Sequence, residues 1–351
     1  MNASYSRLAS ARRRSAVIVG MALLGVPDAL PSTYLPKESN PSKMKLLPLR
    51  TKENTMKAIT TLGNGSTELT EVPTPQPGTD QVLVRVHAAT VNPIDVVLTA
   101  GVFHQIGVIT HDRPIGLGWD LAGTVEAVGS GVTAFAVGDR VSGLFPAINV
   151  PLGGLADHAL VPADDLALVP SGLSDVDAAS VGLNALTAQQ AIRLLGPAEG
   201  RSLLVTGAAG AVGGFALELL AGAGWELSGL ARDADAEFVT ARGAKLVTDL
   251  DATYDVVFDA AALQEPALTA VRPGGLFVGV QPSLPLEATE GRTVTAVGVV
   301  PDGAALAGLL EQAATGELTV RVAGSVPIED HATAFAYVAA GGNRGRWVVT
   351  A

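Results

Sequence analysis

Residues Ser202–Leu220, SLLVTGAAGAVGGFALELL, set three glycines, Gly207, Gly210 and Gly213, three positions apart between an apolar run and a helix-periodic run. Few folds tolerate a strand, a glycine turn and a helix so tightly joined. The first glycine takes backbone angles that other residues resist, the second lets main chain approach an anion, and the third lets helix and strand pack closely. The helix start then offers free N–H groups and a partial positive charge. Thr206, Gly207, Ala208, Ala209, Gly210, Ala211, Val212 and Gly213 are therefore expected to cradle the pyrophosphate of a dinucleotide.

The surrounding rhythm fits that expectation. WELSGLA, YDVVFDAA and GLFVGV are short apolar strands separated by helical or turn segments. Such alternation implies a mostly parallel sheet with both faces covered. The strand ends at Ala260–Ala261 and Val280–Gln281 should line the cofactor groove, because ligands of open α/β sheets lie at the carboxyl ends of the strands. Arg232 lies 19 residues beyond Gly213, where an acidic residue would bond the ribose 2′-hydroxyl of NAD. A guanidinium there suits a 2′-phosphate, so NADP(H) is the expected cofactor, with neighbouring Asp233 leaving NAD open. SDVDAASVGLNALTAQQAIRLL reads as one helix capped by Ser174. The helix after the glycine turn is expected to bury Val212, Ala216, Leu219 and Ala223.

From Met56 to about Pro170 the chain has short strands and glycine-marked turns instead. Gln81–Val91, Leu121–Val132 and Asp139–Phe145 read as strands of a barrel-like β domain.

Charge separates the first 55 residues from the rest: they carry a net of +6 and the remainder −17, giving −11 for the chain of 351 residues. An acidic body disfavours nucleic-acid binding. Arg7, Arg12, Arg13 and Arg14 precede the apolar run Ala16–Val26, which is too short to span a membrane and has a poor cleavage end. Residues 1–55 are expected to be a disordered extension, with export as the alternative, and the folded part to begin near Met56. Cysteine is absent, which excludes disulfides, thiolate catalysis and cysteine-ligated metals.

Seven segments, in order, carry a resemblance: VNPIDVVLTAG (91–101), GWDLAGTVEAVGSGVTAFAVGDRV (118–141), GGLADHALVPADDLALVP (153–170), LNALTAQQAI (183–192), VTGAAGAVGG (205–214), RPGGLFVGV (272–280) and RGRWVVTA (344–351). Together they resemble the medium-chain dehydrogenase/reductase superfamily, in its zinc-independent quinone oxidoreductase branch. The resemblance implies an α/β architecture, a GroES-like β-barrel-type catalytic domain (56–173 and 319–351) interrupted by a Rossmann domain (174–318). It further implies a cytoplasmic homodimer that uses NADPH to reduce a quinone or an α,β-unsaturated carbonyl.

Zinc enzymes of that superfamily carry a cysteine where this chain has Asn92-Pro93-Ile94-Asp95, and a His–Glu pair where it has Trp119-Asp120. No metal is therefore expected. Matching positions make Asn92 a candidate amide donor near the nicotinamide, Asp95 a candidate acid or loop anchor, and Thr187 a neighbour of the nicotinamide ribose. The chain departs from the pattern at Val97, where many relatives have a tyrosine, and His104 or His111 is a candidate replacement. Two alternatives stay open: an NADPH-binding protein with little turnover, and an enoyl-thioester reductase. Only two lysines, Lys57 and Lys245, in the acidic body argue against the second.

Overall fold

Strand formation in the first half follows the alternation of apolar and polar residues. The computed structural model describes residues 55–284 and 286–351, so the expectations for residues 1–54 lie outside the described residues. The strands are β1 (Thr55–Thr61), β2 (Glu68–Pro73), β3 (Gln81–Val91), β4 (Ile115–Gly116), β5 (Asp120–Val128), β6 (Arg140–Leu144), β7 (His158–Pro162) and β8 (Leu166–Leu168). β2, β1 and β4 form one antiparallel sheet. β3 is the central strand of a larger one, pairing antiparallel with both β5 and β7. Its eleven residues match the stretch read from sequence, while β5 and β6 are shorter than expected. Val84, Val86, Leu121, Val125, Val141 and Val161 fill the core of this half.

The second half builds a parallel sheet from β9 (Ser202–Thr206), β10 (Glu226–Leu230), β11 (Lys245–Val247), β12 (Tyr254–Asp259), β13 (Val271–Gly279) and β14 (Thr293–Ala296). The order is β11-β10-β9-β12-β13-β14, so the winding reverses between β9 and β12. This is the doubly wound order with its ligand crevice at that reversal. Successive residues of β9 serve opposite faces. Leu203 and Val205 pack with Phe215, Leu217 and Leu309, and Leu204 packs with Val257, Leu268 and Phe277. The helix after the turn, Ala211–Leu220, buries Gly213, Ala216, Leu217 and Leu220; Val212 and Leu219 are only half-buried, and Ala223 lies beyond its end. The buried stripe is thus rotated by about one position from the expected one.

The chain then returns to the first sheet. β15 (Val322–Pro327) pairs parallel with β16 (Arg346–Thr350), and β16 pairs antiparallel with β3. The described residues form one compact unit.

The long helix expected after Ser174 is two helices, Asp175–Ala179 and Gly182–Ile192. Ser174 does cap the first, its hydroxyl accepting from the Asp177 N–H at 3.1 Å. The break has a cause in the first sheet: the Asp120 carboxylate sits on the second helix's start and accepts from the Leu183 N–H. A free helix N-terminus stabilises a carboxylate, and Gly182 has no side chain to obstruct it.

Candidate active site

Two groups of residues meet along the crevice. The first surrounds the glycine turn. Gly207 has φ +57°, and its carbonyl accepts from the Gly210 N–H at 2.7 Å, which folds the turn back onto itself. A Cβ on Gly213 would overlap the Gly207 carbonyl oxygen and lie 2.8 Å from the carbonyl carbon, so helix and turn touch backbone to backbone. Ala211, Val212 and Gly213 form the first helical turn, whose N–H groups have no partner within the helix. A small pocket over this end is lined by Ser180, Gly210, Ala211, Gly214, Arg321 and Arg346. Arg321 donates to the Ala209 carbonyl at 2.6 Å, tying the closing segment of the chain to the turn.

Across the reversal, Thr206 fixes the neighbouring strand end. Its hydroxyl donates to Asp259 Oδ1 at 2.6 Å and accepts from the Ala261 N–H at 3.0 Å. Ala261 then packs directly on Gly207. Asp259 also accepts from the Gln264 N–H at 2.7 Å, and burial pushes its carboxyl above the usual range. Ala262 (φ +53°) and Gln264 (φ +63°) hold left-handed backbone there, a strain that clusters at binding sites. Gln264 Nε2 donates to Gln281 Oε1 at 2.6 Å, joining the ends of β12 and β13, where Ala260 and Val280 also lie.

Arg232 follows the end of β10. Its Nε donates to Asp235 at 3.1 Å and its Nη2 to the Gly342 carbonyl at 3.3 Å. Asp235, 4% exposed, also pairs with Arg344 at 2.5 Å. Arg321 and Arg242 both lie over the Phe238 ring, 4.2 and 3.6 Å from its centroid. Four arginines thus crowd this side of the turn against Asp235 and Glu218, an excess of positive charge in an acidic protein.

The second group is a buried polar network. Asn92 Nδ2 donates to Asp120 Oδ2 and to Thr90 Oγ1, each at 2.9 Å, and Thr90 Oγ1 donates to Asp120 at 2.8 Å. Asn184, on the helix Gly182–Ile192, reaches Asn92 Oδ1 at 3.5 Å and accepts from Arg346 Nη2. Asp95 accepts from the Asn92 N–H at 2.8 Å and the Gly118 N–H at 2.7 Å, anchoring the loop at both ends. Burial pushes the Asp95 carboxyl up to about 7 and that of Asp120 up to about 6, against the pull of the N–H donors each accepts from. Burial likewise lowers Arg346 to about 10, opposed by Asp120 and Asp95. One cation therefore serves two buried carboxylates.

The expected cofactor residues thus gather at the ends of β9, β10, β12 and β13, with Thr187 buried three residues beyond Asn184. Asn92 and Asp95 join them through Asn184 and Arg346. His104 stands apart, its ring against Gly63, outside the hydrogen bonds that link Asn92, Asp95 and Asp120. His111 bonds Asn149 at 2.5 Å. Sequence reasoning missed Asp120, Asn184, Arg321 and Arg346. A lone charge opening or closing an apolar strand, as Asp120 and Arg346 do, was the available signal.

Residues 78–171 match the family described as alcohol dehydrogenase GroES-like domain, and residues 232–349 match zinc-binding dehydrogenase. The chloroplastic NADPH-dependent alkenal/one oxidoreductase of Arabidopsis thaliana is 33% identical over 218 residues, covering 57% of this chain and 55% of that protein. The quinone oxidoreductase of Sus scrofa is 33% identical over 190 residues, covering 52% of this chain and 55% of that protein. The matched region thus spans a little over half the length of each of these two relatives. The solved quinone oxidoreductase of Coxiella burnetii has the same fold, with a TM-score of 0.75 at 24% identity, covering 85% of this chain and 100% of that one.

Proposed function

The chain belongs to the medium-chain dehydrogenase/reductase superfamily, and from that premise we propose that it is an NADPH-dependent oxidoreductase that reduces a quinone or an α,β-unsaturated carbonyl without zinc. The glycine turn at the sheet's winding reversal carries the reading. Gly213 has no room for a Cβ against the Gly207 carbonyl, so the helix start packs directly on the turn and its free N–H groups stand at the crevice, an arrangement suited to a pyrophosphate. Arg321 adds positive charge to the same pocket, which Arg346 also lines. Arg232 and its arginine neighbours favour the 2′-phosphate of NADP(H) over the bare ribose of NAD.

When bound, the cofactor supplies hydride; the chain's own residues orient the reactants and shape the electrostatics. Asn92, Asp95, Asp120, Asn184 and Arg346 position the loop from residue 92 to 118 against the helix Gly182–Ile192. Asn92 acts in this reading as a positioning residue, since its amide is committed to Asp120 and Thr90. The zinc implied by the second matched family has no fitting donors: Asn92 and Trp119 stand in the ligand positions, and the chain has no cysteine.

The same reading divides the chain into residues 56–173 with 319–351, and residues 174–318, supported by the return of β16 to β3. It also makes the protein a cytoplasmic homodimer. Among the described residues no helix is long and apolar enough to cross a membrane.

Titrating the full chain with NADPH and NADH by nicotinamide fluorescence, then adding a short quinone or an alkenal, tests the proposal. Tight NADPH binding with oxidation in the presence of either acceptor is expected. Tight binding with no oxidation by any acceptor would favour a binding protein of little turnover.

A further inference from the structure

We propose that the indole Nε1–H of Trp119 is the hydrogen-bond donor to the substrate's carbonyl oxygen. This rests on the reductase reading above. Trp119 is 7% exposed, and its Nε1 is buried with no acceptor in reach. A buried donor without a partner is costly, so it asks for an explanation.

Its surroundings supply one. Trp119 directly precedes Asp120, the hub of the buried network, and its carbonyl accepts from the Phe145 N–H at 2.6 Å. On its other side the Gly118 N–H is held by Asp95. The backbone carrying the indole is therefore fixed on both flanks before any substrate arrives. The ring belongs to the apolar cluster that joins the two sheets, whose partly exposed margin includes Ile94, Ile148, Ala260 and Val280. Ala260 and Val280 lie at the strand ends that border the proposed cofactor groove.

The other donors of the network are spent. Asn92 Nδ2 and Thr90 Oγ1 serve Asp120, and Asn184 Nδ2 serves Asn92. Arg346 Nε is also without an acceptor, but Arg346 lines the pocket over the helix N-terminus, where the anionic part of a dinucleotide belongs. An uncharged donor among apolar side chains suits an uncharged acceptor, a ketone, aldehyde or quinone oxygen. The described tyrosines lie elsewhere: Tyr254 begins β12, and Tyr337 stacks on Trp347 at the far end of the chain.

Hydride added at the β-carbon of an enone drives the C=C electron pair through the conjugated system onto the carbonyl oxygen, giving an enolate. A proton from water at the α-carbon then restores the C=O and leaves the saturated ketone. The indole keeps its own proton throughout; it binds the oxygen more strongly as negative charge builds there. Such preorganised donors act mainly on kcat.

The test pairs kinetics with spectroscopy. Trp119→Phe keeps an aromatic ring and removes the pyrrole ring that carries the donor. It should leave the NADPH dissociation constant within twofold of wild type while kcat for an alkenal falls about 100-fold. In 15N-labelled wild type with NADP, the indole resonance that Trp119→Phe lacks should move downfield on adding cyclohexanone and stay put with methylcyclohexane. Wild-type turnover with a Trp119→Phe rate within twofold, or an indole resonance indifferent to the ketone, overturns the inference alone. A wild type that oxidises no NADPH with any quinone or alkenal overturns the reductase reading and this inference with it.

Discussion

Gly213 touches Gly207 so closely that a side chain on either one has nowhere to go: a Cβ on Gly213 would overlap the Gly207 carbonyl oxygen, and Gly207 itself has φ +57°. The atoms facing Gly213 are all backbone, so that clash cannot be relieved by turning a rotamer. Gly213→Ala should push the helix away from the turn, costing about 1–3 kcal/mol of stability, the usual penalty of overpacking. NADPH affinity should drop at least tenfold, because the amides of Ala211 to Gly213 move with the helix. Urea unfolding and a fluorescence titration check both; a variant binding NADPH like wild type would place the cofactor elsewhere.

Arg232 separates the two nicotinamide cofactors. Its guanidinium is held by Asp235 and the Gly342 carbonyl, and its side chain remains 41% exposed. Arg232→Ala should raise the KM for NADPH about tenfold or more and leave that for NADH nearly unchanged. Equal effects on both would mean that Arg232 serves only to hold Asp235.

How far the sequence reveals this arrangement depends on how local each signal is. The glycine turn and the boundaries of β3 were legible, because spacing and alternation act within a dozen residues. The break at Ser180–Val181 was not, since it answers to Asp120, sixty residues away. The network of Asn92, Asp120, Asn184 and Arg346 was hidden for the same reason. Taken singly, its members read as a turn former, a strand-end charge, a helix amide and a surface arginine; only the return of β16 to β3 brings them together. Arg321 escaped notice likewise, its link to Ala209 spanning 112 positions.

Asp95 should leave a mark on the pH dependence of stability. Its carboxyl is raised from 3.8 to about 7 by burial, beside Asp120 raised to about 6 and with Arg346 as the nearby cation. Between about pH 4 and 7 the folded chain therefore holds more protons than the unfolded one. Unfolding then releases protons, and these groups lower stability as pH rises through that window. Asp95→Asn cannot ionise, but it turns one acceptor into a donor facing a backbone N–H. The variant should be about 1–3 kcal/mol less stable than wild type at pH 5. The difference should shift by about 3 kcal/mol in the variant's favour by pH 8, since about two pKa units lie between pH 5 and the folded value and each corresponds to roughly 1.4 kcal/mol. Denaturant unfolding at both pH values decides it; a gap that does not change with pH would show that Asp95 ionises normally.

Thr206 is where binding and stability should fail together. Its hydroxyl is fully committed, donating to Asp259 and accepting from the Ala261 N–H, and Ala261 is the residue that packs on Gly207. Thr206→Val keeps the shape of the side chain and removes both bonds, leaving a buried carboxylate one donor short and a backbone N–H without an acceptor. The expected loss is about 1–3 kcal/mol per orphaned group, tempered by relaxation of the strand end. Because Ala261 packs on Gly207 at the proposed cofactor groove, NADPH affinity should weaken as well. Thr206→Ser, which retains the hydroxyl, should recover most of that affinity while still losing a buried methyl. If the serine and valine variants bind NADPH equally, the hydroxyl does not set the crevice, and packing of Ala261 against Gly207 positions the two strand ends without it.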